Sequence, residues 1–295
     1  MDSPDNVLPE VSVIIPSSDE SSTIQRTILS VKHIQPPLEV IVVCPGLTSR
    51  TTRHAHAAGA KVIHSYALIT YDEARALGAL HAKGETVLFL EEKNSTSKAL
   101  LNNIIDASRK GWDLVLTAYS SSPTKRKQSA QRLAARLLNH MSGKTELEAA
   151  SMCFAPYALN KNALKKIGHQ MLCTPPLALA CAVEQGLSVT TVTPPTTWRR
   201  YVGKHSAMKK QTQLILREHA EAICYLMQDK GQRAGLPDGG RFRVLLQAPE
   251  LLHLRSVFNQ EPGEREVDGW GAKRKAKRSS PKKAGRRAHK QLRKK

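Results

Sequence analysis

Val11 to Ile15 is a β-branched run closed by Pro16, the pattern of a buried strand whose far end breaks into a loop. A helical period follows. Ile24, Ile28 and Val31 recur on one face, Ser22 and Gln25 stand at capping-box spacing, and Pro36 and Pro37 forbid continuation. Leu38 to Val43 is a second β-branched run, stopped at Pro45 and Gly46. Strand, helix and strand within about 30 residues is the smallest crossover that joins parallel strands.

The alternation persists. A polar, histidine-containing stretch from Thr51 to Ala58 leads into the short run Lys61 to His64. A helix is expected over Tyr71 to Lys83, and Thr86 to Leu90 is a strand set off by a turn at Gly84. Ser97 to Lys110 repeats apolar residues at Leu100, Leu101, Ile104, Ile105 and Ala107 and closes on Gly111, a natural left-handed helix end, before a strand over Asp113 to Ala118. Residues 9–120 therefore predict a doubly wound α/β unit, mostly parallel, with helices on both faces.

Ser120 to Lys127 is a polar, basic break, after which the pattern turns helical. Leu133, Leu137, Leu138 and Met141 mark one amphipathic helix; Ala163 to Ile167 and Pro176 to Gln185 mark two more, closed by Gly168 and Gly186. Leu187 to Thr193 is a Thr/Val-rich strand cut off by Pro194 and Pro195. Ser206 to Lys230 predicts a longer helix with Leu214, Ile215, Ala222 and Leu226 inward and Gly231 at its end, and a short helix is expected over Arg241 to Phe258.

Composition changes the picture only at the C-terminus. The 295 residues carry 45 Lys and Arg against 25 Asp and Glu, and 40% are hydrophobic, enough for a sizeable core. From Lys273 to Lys295 there are 13 basic residues and no acid, which leaves 32 basic against 25 acidic residues, a net +7, for residues 1–272. A run so poor in apolar residues cannot pack and is expected to stay solvated and disordered. Such a segment holds anionic membrane surfaces, nucleic acids or other polyanions by counterion release, or serves only for solubility. No aromatic residue follows Trp270, so base stacking has no support there.

Five cysteines without CxxC spacing argue against a disulfide framework and a structural zinc site, and fit a reducing compartment. They read as buried or neutral thiols. No apolar run approaches the roughly 18 residues that cross a bilayer, and the polar start lacks a signal-peptide pattern. The expectation is a cytoplasmic protein without a transmembrane segment, able to sit at a membrane through its tail. His54, His56 and His64 have no supporting Cys or acid at ligand spacing and read as surface residues.

The first strand and its exit through Pro16, Asp19 and Glu20 resemble the opening of family-2 glycosyltransferases, where a buried strand ends in Ile-Pro and a loop carries Asn/Asp-Glu before a helix. Leu38 to Val43 is similar to the next strand of that family. Gly84 to Leu90 is similar to the strand that presents its Asp-x-Asp motif. The resemblance covers residues 9–93 well and weakens over residues 110–195. It implies a GT-A fold over residues 9–200. The nucleotide-sugar half is residues 9–120 and the acceptor half residues 121–200, followed by a helical extension over 201–260 and the tail over 261–295.

What the resemblance implies for the site is a nucleoside-diphosphate sugar lying at the carboxyl ends of the strands. Pro16, Asp19, Glu20 and Gly46 would lie against the nucleotide, Asp72 and Arg75 would approach nucleotide or sugar, and Glu91 and Glu92 would reach ribose or a distorted metal site. Arg199, Arg200, Lys204 and His205 would approach the phosphates. The family's acid after the second strand is replaced by Cys44, Pro45 and Gly46, and its Asp-x-Asp by Glu91, Glu92 and Lys93. Mg or Mn is therefore a weak expectation, since a protonated lysine repels a cation. Lys93 would instead act as a fixed cation on the leaving diphosphate. The stretch that matches the family's general base is Cys173 to Leu177, with no carboxylate. Two alternatives stay open beside a glycosyltransferase: a degenerate GT-A binding protein, and a polyanion- or nucleic-acid-associated protein acting through its tail.

Overall fold

A computed structural model describes residues 8–18, 21–34, 37–45, 49–65, 69–93, 97–118, 129–195, 205–231 and 233–236, without the side chains of 205–210 and 229. Asp19, Glu20, Gly46, Arg199, Arg200, Lys204 and the side chain of His205 lie outside the described residues. So do the basic break over 120–127, the helix expected over 241–258 and the tail over 261–295.

The described strands are β1 (Val11–Pro16), β2 (Leu38–Pro45), β3 (Lys61–Ser65), β4 (Thr86–Phe89), β5 (Leu114–Thr117), β6 (Tyr157–Asn160) and β7 (Val189–Val192). They form one sheet in the order β3-β2-β1-β4-β6-β5-β7. All run in one direction except β6, which is antiparallel to both β4 and β5. The sheet is thus mostly parallel, as expected, with one reversed strand that the hydrophobic pattern does not announce. Tyr157–Asn160 is short and lacks β-branched residues, and it ends where Asn160 Oδ1 accepts from Ala163 N (2.7 Å) to start the next helix.

The eight α-helices among the described residues are α1 (Ile24–Val31), α2 (Arg50–Ala57), α3 (Tyr71–Leu80), α4 (Lys98–Arg109), α5 (Ala130–Met141), α6 (Lys161–Ile167), α7 (Pro175–Glu184) and α8 (His205–Lys230). The period of two in the strands sorts the helices. Val11, Val13 and Ile15 of β1 pack with Val40 and Val42 under α1, α2 and α4. Ile14 packs with Ile41, Val43 and Phe89 under α3, α6 and α7. Each such buried aliphatic side chain contributes about 1.5–3 kcal/mol.

Two glycines fix close approaches. A Cβ on Gly78 of α3 would stand 2.5 Å from Ile14 Cγ2, so α3 lies directly on β1 and β2. A Cβ on Gly84 would stand 2.6 Å from Ser12 N, where Ser12 Oγ accepts from Gly84 N at 2.8 Å.

Several local expectations need correction. The N-cap of α1 is Thr23, whose side chain makes no capping bond, and Ser21 rather than Ser22 serves the helix start: Ser21 Oγ accepts from Ile24 N at 2.9 Å and from Thr23 N at 3.2 Å. The polar stretch after β2 is a helix, because Ser49 caps it and its inward positions are the small residues Thr51, Thr52 and Ala55. Leu133 and Leu137 of α5 are exposed, and the buried positions are Ala135, Leu138 and Asn139. In α8, Ile215, Ala222 and Leu226 are inward as expected, but Leu214 is exposed and Glu218 and His219 take its place in the buried stripe. α8 packs on α5 and α7 through Leu138, Ala180, Ala222 and Leu226. Cys224 is exposed, unlike Cys44, Cys153 and Cys181. Among the described residues no helix is long and apolar enough to cross a membrane.

Candidate active site

Parallel strands end with their carboxyl edges together, so the segments leaving β1, β2 and β4 share one rim. Here they are tied to each other. Ser17 N donates to Val43 O (2.9 Å) and Leu90 N to Ile14 O (3.0 Å), extending the ladder beyond the strands. Thr51 Oγ1 at the start of α2 donates to Ser18 O (2.5 Å) and accepts from Ser21 N (2.8 Å). The exits of β1 and β4 and the first turn of α2 thus form one assembly.

Glu92 is the centre of that assembly and is 3% exposed. Its Oε2 accepts from Ser17 Oγ (2.7 Å) and Ser18 N (3.2 Å), and its Oε1 from Thr23 Oγ1 (3.1 Å). Its backbone carbonyl accepts from Thr27 Oγ1 at 2.8 Å. A buried carboxylate is tolerated because these donors replace water. Glu92 therefore fastens the β4 exit to the β1 exit and α1. Lys93, the next residue, is exposed.

The second group is set by α3. Thr70 and Glu73 close a capping box (Glu73 N to Thr70 Oγ1 3.2 Å; Thr70 N to Glu73 Oε2 2.6 Å), which places Asp72 and Arg75 at the helix start. Arg75 is 4% exposed, ion-paired to Asp72, and its Nη2 lies 3.6 Å from Glu91 Oε1. Burial alone would favour its neutral form, but Asp72, Tyr157 and Glu91 outweigh that and hold Arg75 above the ordinary guanidinium value. It is permanently charged. Burial pushes Asp72 above the ordinary aspartate value, and Arg75 offsets this only in part.

Beneath the pair lies a polar floor. Tyr157 stacks on Phe89 with ring centroids 4.8 Å apart, and both Tyr157 Oη and Arg75 Nε are buried without a hydrogen-bond partner among the described residues. Cys153 is buried and its thiol is pushed up to about 12, by burial first, so it is protonated near neutral pH. On the rim, the Tyr71 hydroxyl meets Ser18, and burial followed by the charge of Glu92 raises its pKa.

The sequence reading missed one acidic residue of this cluster. Glu218 of α8 is 9% exposed, and its carboxyl is pushed up to about 7, first by burial and then by the charges of Asp72 and Glu221, with Arg75 acting the other way. The signal was present. Ile215, Glu218, His219, Ala222 and Leu226 follow the helical period, so an acid and a histidine stand on the inward stripe. His219 Nδ1 lies 2.6 Å from Ile215 O, and burial lowers its pKa.

Of the residues singled out in the sequence, the structure brings together Asp72, Arg75 and Glu91, with Glu92 and Lys93 on the same β4 exit. Pro16 is buried at the end of β1 and pairs with Val43. Cys173 ends a short 3₁₀ turn before α7, whose first residues are Pro175 and Pro176. His56 is exposed, and His54 and His64 are half-buried. The acids of the β4 exit do not fit a divalent cation: Glu92 is engaged by three protein donors, Glu91 faces Arg75, and Lys93 adds positive charge. Among the described residues no group of three or more His, Cys, Asp and Glu side chains is placed to hold a metal ion.

Solved structures share this architecture. Glucosyl-3-phosphoglycerate synthase from Mycobacterium tuberculosis, in complex with Mn2+, uridine diphosphate and glucosyl-3-phosphoglycerate, aligns with a TM-score of 0.55 at 20% identity over 79% of this chain and 82% of that one. The same enzyme with Mn2+ and UDP-glucose aligns with a TM-score of 0.56 at 18% identity over 79% and 81%. A further mycobacterial protein gives 0.55 at 21% identity over 79% and 77%. These likenesses show the fold, the GT-A arrangement expected from the sequence. A sequence search among curated proteins gives no match. The profile described as glycosyl transferase family 2 matches residues 12–168. That match spans more than half of the chain, and the chain belongs to glycosyl transferase family 2.

Proposed function

We propose that the protein transfers a sugar from a nucleoside-diphosphate sugar to an acceptor nucleophile. The nucleotide lies at the carboxyl edge of β1, β2 and β4, and Lys93 takes the place of a divalent cation beside the leaving diphosphate. The observation that carries this reading is the joining of the β1 and β4 exits through Glu92, which leaves Lys93 exposed on the β4 exit two residues after Glu91, itself paired with Arg75. A fixed, preorganised cation stabilises the negative charge that develops on the departing phosphate, and it does so without a bound metal. The likeness to an enzyme solved with UDP-glucose makes uridine diphosphate sugars the first donors to test.

A second reading is favoured by one observation: the start of α7 carries Thr174, Pro175 and Pro176 and no carboxylate. On that reading the protein binds the donor without turning it over. Calorimetry with UDP-glucose, UDP-N-acetylglucosamine and GDP-mannose, each with Mn2+ and with EDTA, tests both. Binding that survives EDTA, together with release of nucleoside diphosphate, is the expected result. Binding without turnover supports the second reading, binding that needs Mn2+ overturns the role of Lys93, and no binding to any donor overturns both readings.

A further inference from the structure

If transfer proceeds at this site, a group must take the proton of the acceptor nucleophile. The acids at the rim are committed elsewhere. Glu92 accepts three hydrogen bonds from Ser17, Ser18 and Thr23, while Asp72 is ion-paired to Arg75 and Glu91 lies against the same guanidinium. Glu218 differs from all three. It is buried on the inward stripe of α8, is coupled electrostatically to Asp72, Arg75 and Cys153, and has no hydrogen-bond or ion-pair partner among the described residues.

We infer that Glu218 is the general base of this site, an assignment that rests on the reading under Proposed function. The acceptor oxygen attacks the anomeric carbon from the face opposite the diphosphate. The bond from that carbon to the phosphate oxygen breaks, its electron pair leaves with the nucleoside diphosphate, and the acceptor proton passes to a Glu218 carboxylate oxygen, from which solvent removes it after release. A displacement of this kind, with the base on the side away from the leaving group, yields the inverted anomer.

The groups facing Glu218 are Asp72 and Arg75 from α3, Cys153 from the segment before β6, and Glu221 on its own helix, where His219 is the next residue. Arg75 stays charged and Cys153 stays protonated near neutral pH, and burial keeps His219 neutral there. Glu218, pushed up to about 7 by burial first, then lies near a neutral operating pH, the condition under which a general base is most effective.

The test uses the full chain and its Glu218→Gln and Glu218→Asp variants, with UDP-glucose, UDP-N-acetylglucosamine and GDP-mannose as donors and water or 3-phosphoglycerate as nucleophile. The expected result has four parts. Donor Kd stays within about threefold in both variants, and kcat falls about 100-fold or more in Glu218→Gln. The low-pH limb of the wild-type kcat profile near pH 7 disappears in Glu218→Gln and persists in Glu218→Asp, and the product anomer is inverted. A Glu218→Gln enzyme with wild-type kcat, a reduced kcat whose pH limb is intact, or a retained anomer overturns the assignment while leaving glycosyl transfer standing. A wild type that binds donors and transfers nothing to either nucleophile overturns the transfer reading, and this assignment with it.

Discussion

Replacing Glu92 by alanine separates a structural carboxylate from a ligand-binding one. The side chain accepts from Ser17 Oγ at 2.7 Å, Ser18 N at 3.2 Å and Thr23 Oγ1 at 3.1 Å. Ser17 is buried, and its other contact, the Ser18 carbonyl at 3.5 Å, is too long to compensate. Stranding its hydroxyl costs about 1–3 kcal/mol. The Ser18 amide and the Thr23 hydroxyl are partly exposed and can turn to water, so each adds about 0.5–1 kcal/mol. The expected loss is about 2–5 kcal/mol, a fall of roughly 4–20 °C in Tm for a folded unit of this size. Glu92→Gln keeps one good acceptor but sets an amide against another donor, so it loses about half as much. Urea unfolding followed by circular dichroism measures both variants. If Glu92→Ala unfolds within about 0.5 kcal/mol of the wild type while abolishing Mn2+ binding, the carboxylate serves a ligand and does not fasten the β4 exit to β1 and α1.

Three further outcomes are expected. Gly84→Ala sets a methyl 2.6 Å from Ser12 N and 2.8 Å from the Val11 carbonyl carbon, both strand backbone, and should lower stability by about 1–3 kcal/mol in the same unfolding assay. Lys93→Met, at an exposed position, should leave stability within about 0.5 kcal/mol of the wild type yet slow nucleoside-diphosphate release at least tenfold, with EDTA changing neither enzyme; an unchanged rate removes Lys93 from the reaction. For Asp113, burial acts to raise the pKa, but hydrogen bonds from Ser188 N, Asn160 Nδ2 and Ser188 Oγ outweigh it and hold the carboxyl below the ordinary aspartate value. Its stabilising effect is therefore present above the unfolded pKa and lost as pH falls through the folded one. Asp113→Asn should be less stable than wild type at pH 7, with the gap closing as pH drops below about 4, read from Tm against pH.

The parallel half of the sheet was legible because its strands are buried on both faces and spell β-branched runs, with Pro or Gly at the exits. β6 was not, since an antiparallel strand of four residues flanked by Pro156 and an Asn160 helix cap has no period to read. α2 was hidden by its composition, as its inward positions are two threonines and an alanine. At the site, Asp72 and Arg75 are three residues apart on a capped helix, so their pairing follows from spacing alone. Glu91 and Glu92 are adjacent, and only tertiary structure decides which turns inward to the hydroxyls of Ser17 and Thr23. Glu218 lies far along the chain from Asp72, and its approach to α3 depends on how α8 docks against α5 and α7. An acid and a histidine on a stripe of apolar positions were the only trace in the sequence.

The reversed strand has a mechanical consequence. Tyr157 opens β6 opposite Phe89 at the end of β4, and Leu159 and Ala158 carry the ladder on into β5. The two halves of the sheet therefore share a continuous backbone bridge directly below the Asp72–Arg75 pair, and any rocking of one half against the other would tear that ladder. If the rim holds substrate as proposed, accommodation of differently sized substrates falls to rim side chains such as Tyr71 and Lys93, and exchanging those rather than core residues is the route to a changed preference.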